Sequence, residues 1–98
     1  MIRRERERLF LSGPATLQQV AALFEQGSVQ IREGVKVIDL GEVTELDSSL
    51  LAMLLAWLRE ARAAGTGLEF ARIPADLATI AGLYGVAELL PASPAVHH

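Results

Sequence analysis

The chain contains no cysteine. That excludes a disulfide framework, a thiolate nucleophile and any Cys-ligated metal. Histidine is nearly as scarce. The only two, His97 and His98, are the last residues, where a purification tag would also stand, and they are assigned no role. A serine nucleophile would therefore find no imidazole base in the body of the chain. No glycine-rich phosphate loop is present. Excess positive charge is missing too: the formal net charge is −3, which argues against a general nucleic-acid binder. No stretch reaches membrane-spanning length without a charge, so direct membrane insertion is not expected. The basic start has no apolar h-region behind it, because Leu9-Phe10-Leu11 soon meets Ser12-Gly13-Pro14. Paired acids such as Asp39 and Asp47 could do acid–base work, yet nothing else suggests a substrate pocket. These absences together predict an intracellular, cytoplasmic protein with no catalytic residues, no metal and no cofactor.

What is present is an apolar chain of 98 residues, 51% hydrophobic, which is ample for one folded domain and excludes a disordered one. A single domain over 1–98 is expected, with its core at about 6–90 and a frayed tail over 91–98. Charge is unevenly spread. The segment RRERER (3–8) is mostly arginine, whereas Asp39, Glu42, Glu45 and Asp47 follow one another with no base between them.

The pattern of apolar residues and breakers predicts alternating elements. Arg6–Leu11 reads as a strand ended by Gly13-Pro14. Thr16 and Gln19 fit a capping box, and Leu17, Val20, Ala21 and Phe24 then share one helical face; Gly27 is a candidate break. The β-branched run Val35–Leu40 reads as a central strand and Gly41–Leu46 as a loop. A helix then runs to about Ala64, where Gly65-Thr66-Gly67 stops it. Leu68–Ile73 is a further strand, Pro74 starts a third helix that Gly85 ends, and Val86–Leu90 is a short last element. Strand, helix, strand, helix, strand, helix implies an α/β fold with a mostly parallel central sheet and helices packed on it.

The most informative stretch is LDSSLLAMLLAW (46–57). Its polar start holds three good N-cap residues, Asp47, Ser48 and Ser49, of which Asp47 or Ser48 is the cap. Its apolar part carries more than sheet packing needs. Leu51, Leu54, Leu55 and Leu58 form a stripe that would face the sheet, with Arg62 beyond its end, while Leu50, Met53 and Trp57 form a neighbouring stripe. Ser48, Ala52, Arg59 and Ala63 lie on the other flank. Either the third helix covers the surplus stripe, or Met53 and Trp57 stay partly exposed and meet another protein; Met, Trp and Arg are residues that interfaces favour.

The run VKVIDLGEVTELDSSLLAMLLAWLREARAAGTGLEFARIPADLATIAGLYGVAELL (35–90) resembles the STAS domain (sulfate transporter and anti-sigma factor antagonist). The shared pattern is an apolar strand ending in Asp-Leu, a short connection, Asp-Ser-Ser at a helix mouth, a glycine turn, a strand, a third helix and a Gly-Val…Leu-Leu ending. The likeness covers about residues 6–90. It implies a non-catalytic binding module. In the MlaB-like branch, such a domain docks on the cytoplasmic ATPase subunit of an ABC transporter that moves phospholipids and maintains outer-membrane lipid asymmetry, supporting its assembly or activity. The hydroxyl that matters there matches Ser48. In anti-sigma factor antagonists, a kinase that is also the anti-sigma factor phosphorylates the next residue, which matches Ser49. Both patterns usually have glycine where this chain has Leu50, and a leucine there would crowd an approaching kinase; this favours the MlaB-like branch. Ser48, Ala52, Met53, Trp57 and Arg59 are then the expected partner-binding residues, with the acids of 42–47 steering a basic partner.

Overall fold

Leu9 and Leu11 alternate with Arg8 and Phe10, and Ile38 and Leu40 flank Asp39. This period of two sends the four aliphatics to one side of a sheet. The computed structural model describes residues 1–93 and builds that sheet from four strands: β1 (Ile2–Glu5), β2 (Arg8–Ala15), β3 (Val37–Leu46) and β4 (Glu69–Ala71), side by side in that order. β2, β3 and β4 are mutually parallel, and β1 runs antiparallel to β2. Three helices complete the fold: α1 (Leu17–Arg32), α2 (Ser48–Ala63) and α3 (Ala75–Leu83), followed by a 3-10 turn at Ala87–Leu89. Helical Leu23, Leu54 and Leu77 join Leu9, Leu11, Ile38 and Leu40 in one buried cluster.

The first strand differs from the expected Arg6–Leu11. A hairpin stands there instead, turning at Arg6-Glu7 with Glu5 opposite Arg8. Arg6 takes a left-handed backbone with φ 58°, and the Arg4 guanidinium donates to its carbonyl at 2.7 Å. No Gly, Asn or Asp marks that turn, so the charged run hid it. Gly13-Pro14 does not end β2 either. The strand continues to Ala15 through register irregularities at 10–14, with Gly13 at φ 80°. At such a bulge a proline lacking its N–H is tolerated.

β3 also outruns its expected end at Leu40. Residues 41–46 pair with β2 as far as Ala15 opposite Leu46, so the supposed loop is strand. Gly27 does not break α1 and is buried inside it. On α2 the expected orientation needs turning. Leu51 and Leu54 are buried as expected, but so are Leu50, Met53, Trp57 and Ala61, while Leu55 and Leu58 are only half-buried. The buried arc is shifted because α1, not α3, covers Trp57: its indole stacks on Phe24 with ring centroids 6.5 Å apart and its Nε1–H donates to the Phe24 carbonyl at 3.2 Å.

Of the expected frayed tail, the first three residues are held. The Phe70 N–H donates to the Pro91 carbonyl and the Ser93 N–H to the Phe70 carbonyl, both at 2.8 Å. The rest of it, His97 and His98 included, lies outside the described residues. Among the described residues no helix is long and apolar enough to cross a membrane.

Candidate functional site

β2 leads into α1 and β3 into α2, so the two helices start at the same end of the sheet. Asp47 links those starts. One carboxylate oxygen accepts from the Ser49 N–H at 2.8 Å and caps α2; the other accepts from the Leu17 N–H, in the first turn of α1, at 3.1 Å. The cap is therefore Asp47, not Ser48. At the start of α1, Gln19 returns its side chain to the Thr16 N–H at 2.9 Å, as the capping-box pattern predicts.

Those hydrogen bonds, the one from Leu17 above all, hold the Asp47 carboxyl below its ordinary value near 3.8. Both helix N-termini carry partial positive charge, which works the same way. The sign follows from linkage: the carboxylate contributes stability above the unfolded-state pKa, and that contribution is lost as pH falls through the lower folded-state value. The parent should thus lose more stability than Asp47→Asn on acidification below about pH 4. Denaturant titrations at several pH values would measure this, and equal acid slopes would show that the Asp47 carboxylate does not stabilise the two helix starts.

An open apolar groove of about 490 Å³ lies between α1 and α2 near their shared starts. Leu17, Val20, Ala21 and Phe24 form one wall, and Ser49, Ala52, Met53 and Ala56 the other. Leu17 is 71% exposed, although it is a leucine on a helix. Ser48 is exposed beside the groove mouth, whereas Ser49 is half-buried in its lining.

Of the expected partner-binding residues, Ala52 and Met53 both line the groove, but Met53 is only 4% exposed and packs into the core, so it is not the partly exposed residue expected; Ser48 is exposed next to the lining residue Ser49. Arg59 is exposed one turn beyond Ala56. Trp57 does not belong to the surface: it is 0% exposed, because α1 closes over it. Sequence reasoning missed the α1 wall. The signal was visible in the spacing of Leu17, Val20, Ala21 and Phe24, but a lone helical stripe reads as core. The true core face of α1 carries Leu23, Gly27 and Ile31.

The acidic segment is also less free than its sequence implies. Asp39, 3% exposed, accepts from Arg8 Nη1 at 2.7 Å, Arg72 Nε at 2.8 Å and the Gly41 N–H at 2.9 Å. So fully engaged, Asp39 is a structural anchor of the sheet. Glu42 meets both terminal nitrogens of Arg3, at 3.2 and 3.3 Å. That leaves Glu45, exposed and without an ion pair among the described residues. Leu50 is wholly buried. The expectation that its bulk would crowd an approaching kinase is therefore wrong, since the side chain points into the core.

A family model described as Mlab, STAS domain matches residues 2–91. No curated protein matches significantly. Among solved structures, the chain is similar to the Bacillus anti-sigma factor antagonist SpoIIAA. For its unphosphorylated form the TM-score is 0.69 at 16% identity, over 95% of this chain and 86% of that one. For the phosphorylated form it is 0.66 at 17% identity, over 95% and 89%. A Thermotoga maritima protein described as an anti-sigma factor antagonist gives 0.75 at 11% identity, over 98% and 86%. At these identities the similarity establishes a shared fold.

Proposed function

The chain belongs to the MlaB STAS domain family, and from that premise we propose that it is a non-catalytic docking module for the cytoplasmic ATPase subunit of a phospholipid ABC transporter. On this reading it resides in the cytoplasm, peripheral to the inner membrane through its partner, and nucleotide hydrolysis belongs to the ATPase. The observation that carries the proposal is the open groove between α1 and α2 with the exposed Ser48 hydroxyl beside its mouth. An apolar recess rimmed by polar groups is the form a protein interface takes. Ser48, Ala52, Met53 and Arg59 border the contact. The family match supports the transporter partner over the sigma-factor pathway; the burial of Leu50 bears on neither.

Ser48→Arg tests the proposal. It adds a long cation at a helix start that already disfavours positive charge, at an exposed position the fold does not need. Affinity for the transporter ATPase of the same cell should fall more than about tenfold, roughly 1.4 kcal/mol, while the fold persists with Tm lowered by only a few degrees. A replacement of exposed Glu25 should leave binding alone. Equal calorimetric affinities for parent and Ser48→Arg would move the docking surface elsewhere. The rival reading, a phosphoswitch at Ser49, requires a modified protein in its own cell. Intact mass of natively produced chain showing one phosphate that maps to Ser49 would replace the transporter reading.

A further inference from the structure

Asp47 does more at the start of α2 than a cap requires. A cap needs one acceptor oxygen, and Ser, Thr, Asn or Asp can each supply it. Here the first carboxylate oxygen accepts from the Ser49 N–H at 2.8 Å, and the second reaches the other helix, where it accepts from the Leu17 N–H at 3.1 Å. Leu17 and Ser49 line opposite walls of the groove. Exposed Ser48 directly follows Asp47 in the chain. One carboxylate therefore holds the first turns of both helices, beside the hydroxyl on which the docking reading turns.

Little else is placed to hold them there. β2 and β3 pair as far as Ala15 opposite Leu46, which sets Thr16 beside Asp47. Beyond that pair no backbone hydrogen bond crosses between α1 and α2 among the described residues. The next hydrogen bond between the helices is that of the Trp57 indole to the Phe24 carbonyl. From Leu17 to Phe24 is about 10 Å at the helical rise. Along that length the facing residues include Ala21, Ala52 and Ala56, whose side chains are too short to bridge an open groove. Both bonds to the Asp47 carboxylate are charge-assisted, which makes them the stronger kind.

We infer that Asp47 is a positioning residue of the docking surface: by holding Leu17 and Ser49 together it keeps the starts of α1 and α2, and Ser48 with them, in the arrangement the partner recognises. The inference rests on the docking reading above and deepens it. Asp47 does not itself touch the partner. A residue of this kind sets the fraction of molecules ready to bind, and apparent affinity falls with that fraction. Its loss therefore appears in the association rate, whereas loss of a direct contact appears chiefly in dissociation.

Asparagine separates the two duties of Asp47. It caps a helix as well as aspartate does, but it has a single acceptor oxygen, and its amide would meet the Leu17 N–H donor to donor. The experiment uses the full chain and the intact ATPase subunit of the same cell. In Asp47→Asn the Leu17 amide proton should move upfield, toward the position of a water-exposed amide, while the Ser49 proton keeps a hydrogen-bonded shift. Association with the ATPase should slow by about three- to tenfold, and dissociation should keep the parent's rate. The slowing should persist in about 0.5 M salt, where the loss of steering by one charge is screened. Asp47→Ser, whose short hydroxyl caps α2 without reaching Leu17, should repeat the result. Leu54→Ala, a core variant, should associate at the parent's rate per folded molecule, so lowered stability alone does not imitate the effect.

Parent rates in Asp47→Asn, with the Leu17 resonance moved, would show that docking ignores the link and would overturn the inference. An unmoved Leu17 resonance would overturn it as well, because the carboxylate would not be what holds α1. Faster dissociation at an unchanged association rate would make Asp47 a contact and not a positioning residue. Slowing that vanishes in salt would reduce its part to steering. If the parent itself does not bind the ATPase, the docking reading fails and takes the inference with it.

Discussion

Trp57→Ala should cost about 3–5 kcal/mol of folding stability. The indole is 0% exposed, stacks on Phe24 and donates its N–H to the Phe24 carbonyl, so truncation opens a large cavity between α1 and α2 and leaves that carbonyl without its donor. At the edge of a partner surface, the place the sequence suggests for Trp57, truncation would cost within about 0.5 kcal/mol. Gly27 makes the test sharper. A Cβ added there would collide with the six-membered ring of Trp57, so the backbone of α1 approaches the indole as only glycine permits. Alanine normally stabilises a helix interior over glycine by about 1 kcal/mol. Here Gly27→Ala should destabilise instead, by roughly 1–3 kcal/mol through overpacking. In the Trp57→Ala background the same change should become neutral or favourable, a coupling that a double-mutant cycle isolates. Additive effects would mean that the two residues do not touch. Chemical denaturation of the four proteins measures all of it.

Leu54→Ala should cost about 2–5 kcal/mol. Leu54 is 0% exposed and shares a cluster with Ile38 and Leu40 of β3, so its loss leaves a void against the sheet that a rigid strand cannot fill. Leu55→Ala and Leu58→Ala should each cost less, because both side chains lie at the half-buried margin of α2. This ordering separates the observed orientation of the helix from the one its sequence suggested, in which all four leucines of the stripe were equivalent. A Leu54→Ala cost within about 0.5 kcal/mol would show α2 rotated away from the sheet. Leu54 does not line the groove, so on the docking reading the folded fraction of Leu54→Ala should keep the partner affinity of the parent.

Local physics determined much of this protein before any tertiary contact was considered. The helix starts at Thr16 and Asp47 are legible because a side chain there satisfies N–H groups a few residues away. The glycine stop at Gly65, with φ 76°, and the parallel order of β2, β3 and β4 follow from backbone freedom and from alternating strands and helices. The resemblance to STAS domains rests on that order, which is why a chain with no single diagnostic motif could be placed.

Tertiary structure decided the rest. The hairpin at Arg6-Glu7 has no turn residue of its own and is supported by the Arg4 side chain. Residues 41–46 read as a loop, yet β2 offers them a partner strand. Above all, helical spacing shows which residues share a face but not what that face meets. The stripe Leu17, Val20, Ala21, Phe24 shares one helical face and lines an open groove, while Trp57, expected at a partner surface, is core. Both outcomes follow from one packing event, the approach of α1 to α2 at Gly27. It depends on residues thirty positions apart in the chain, which no local pattern records.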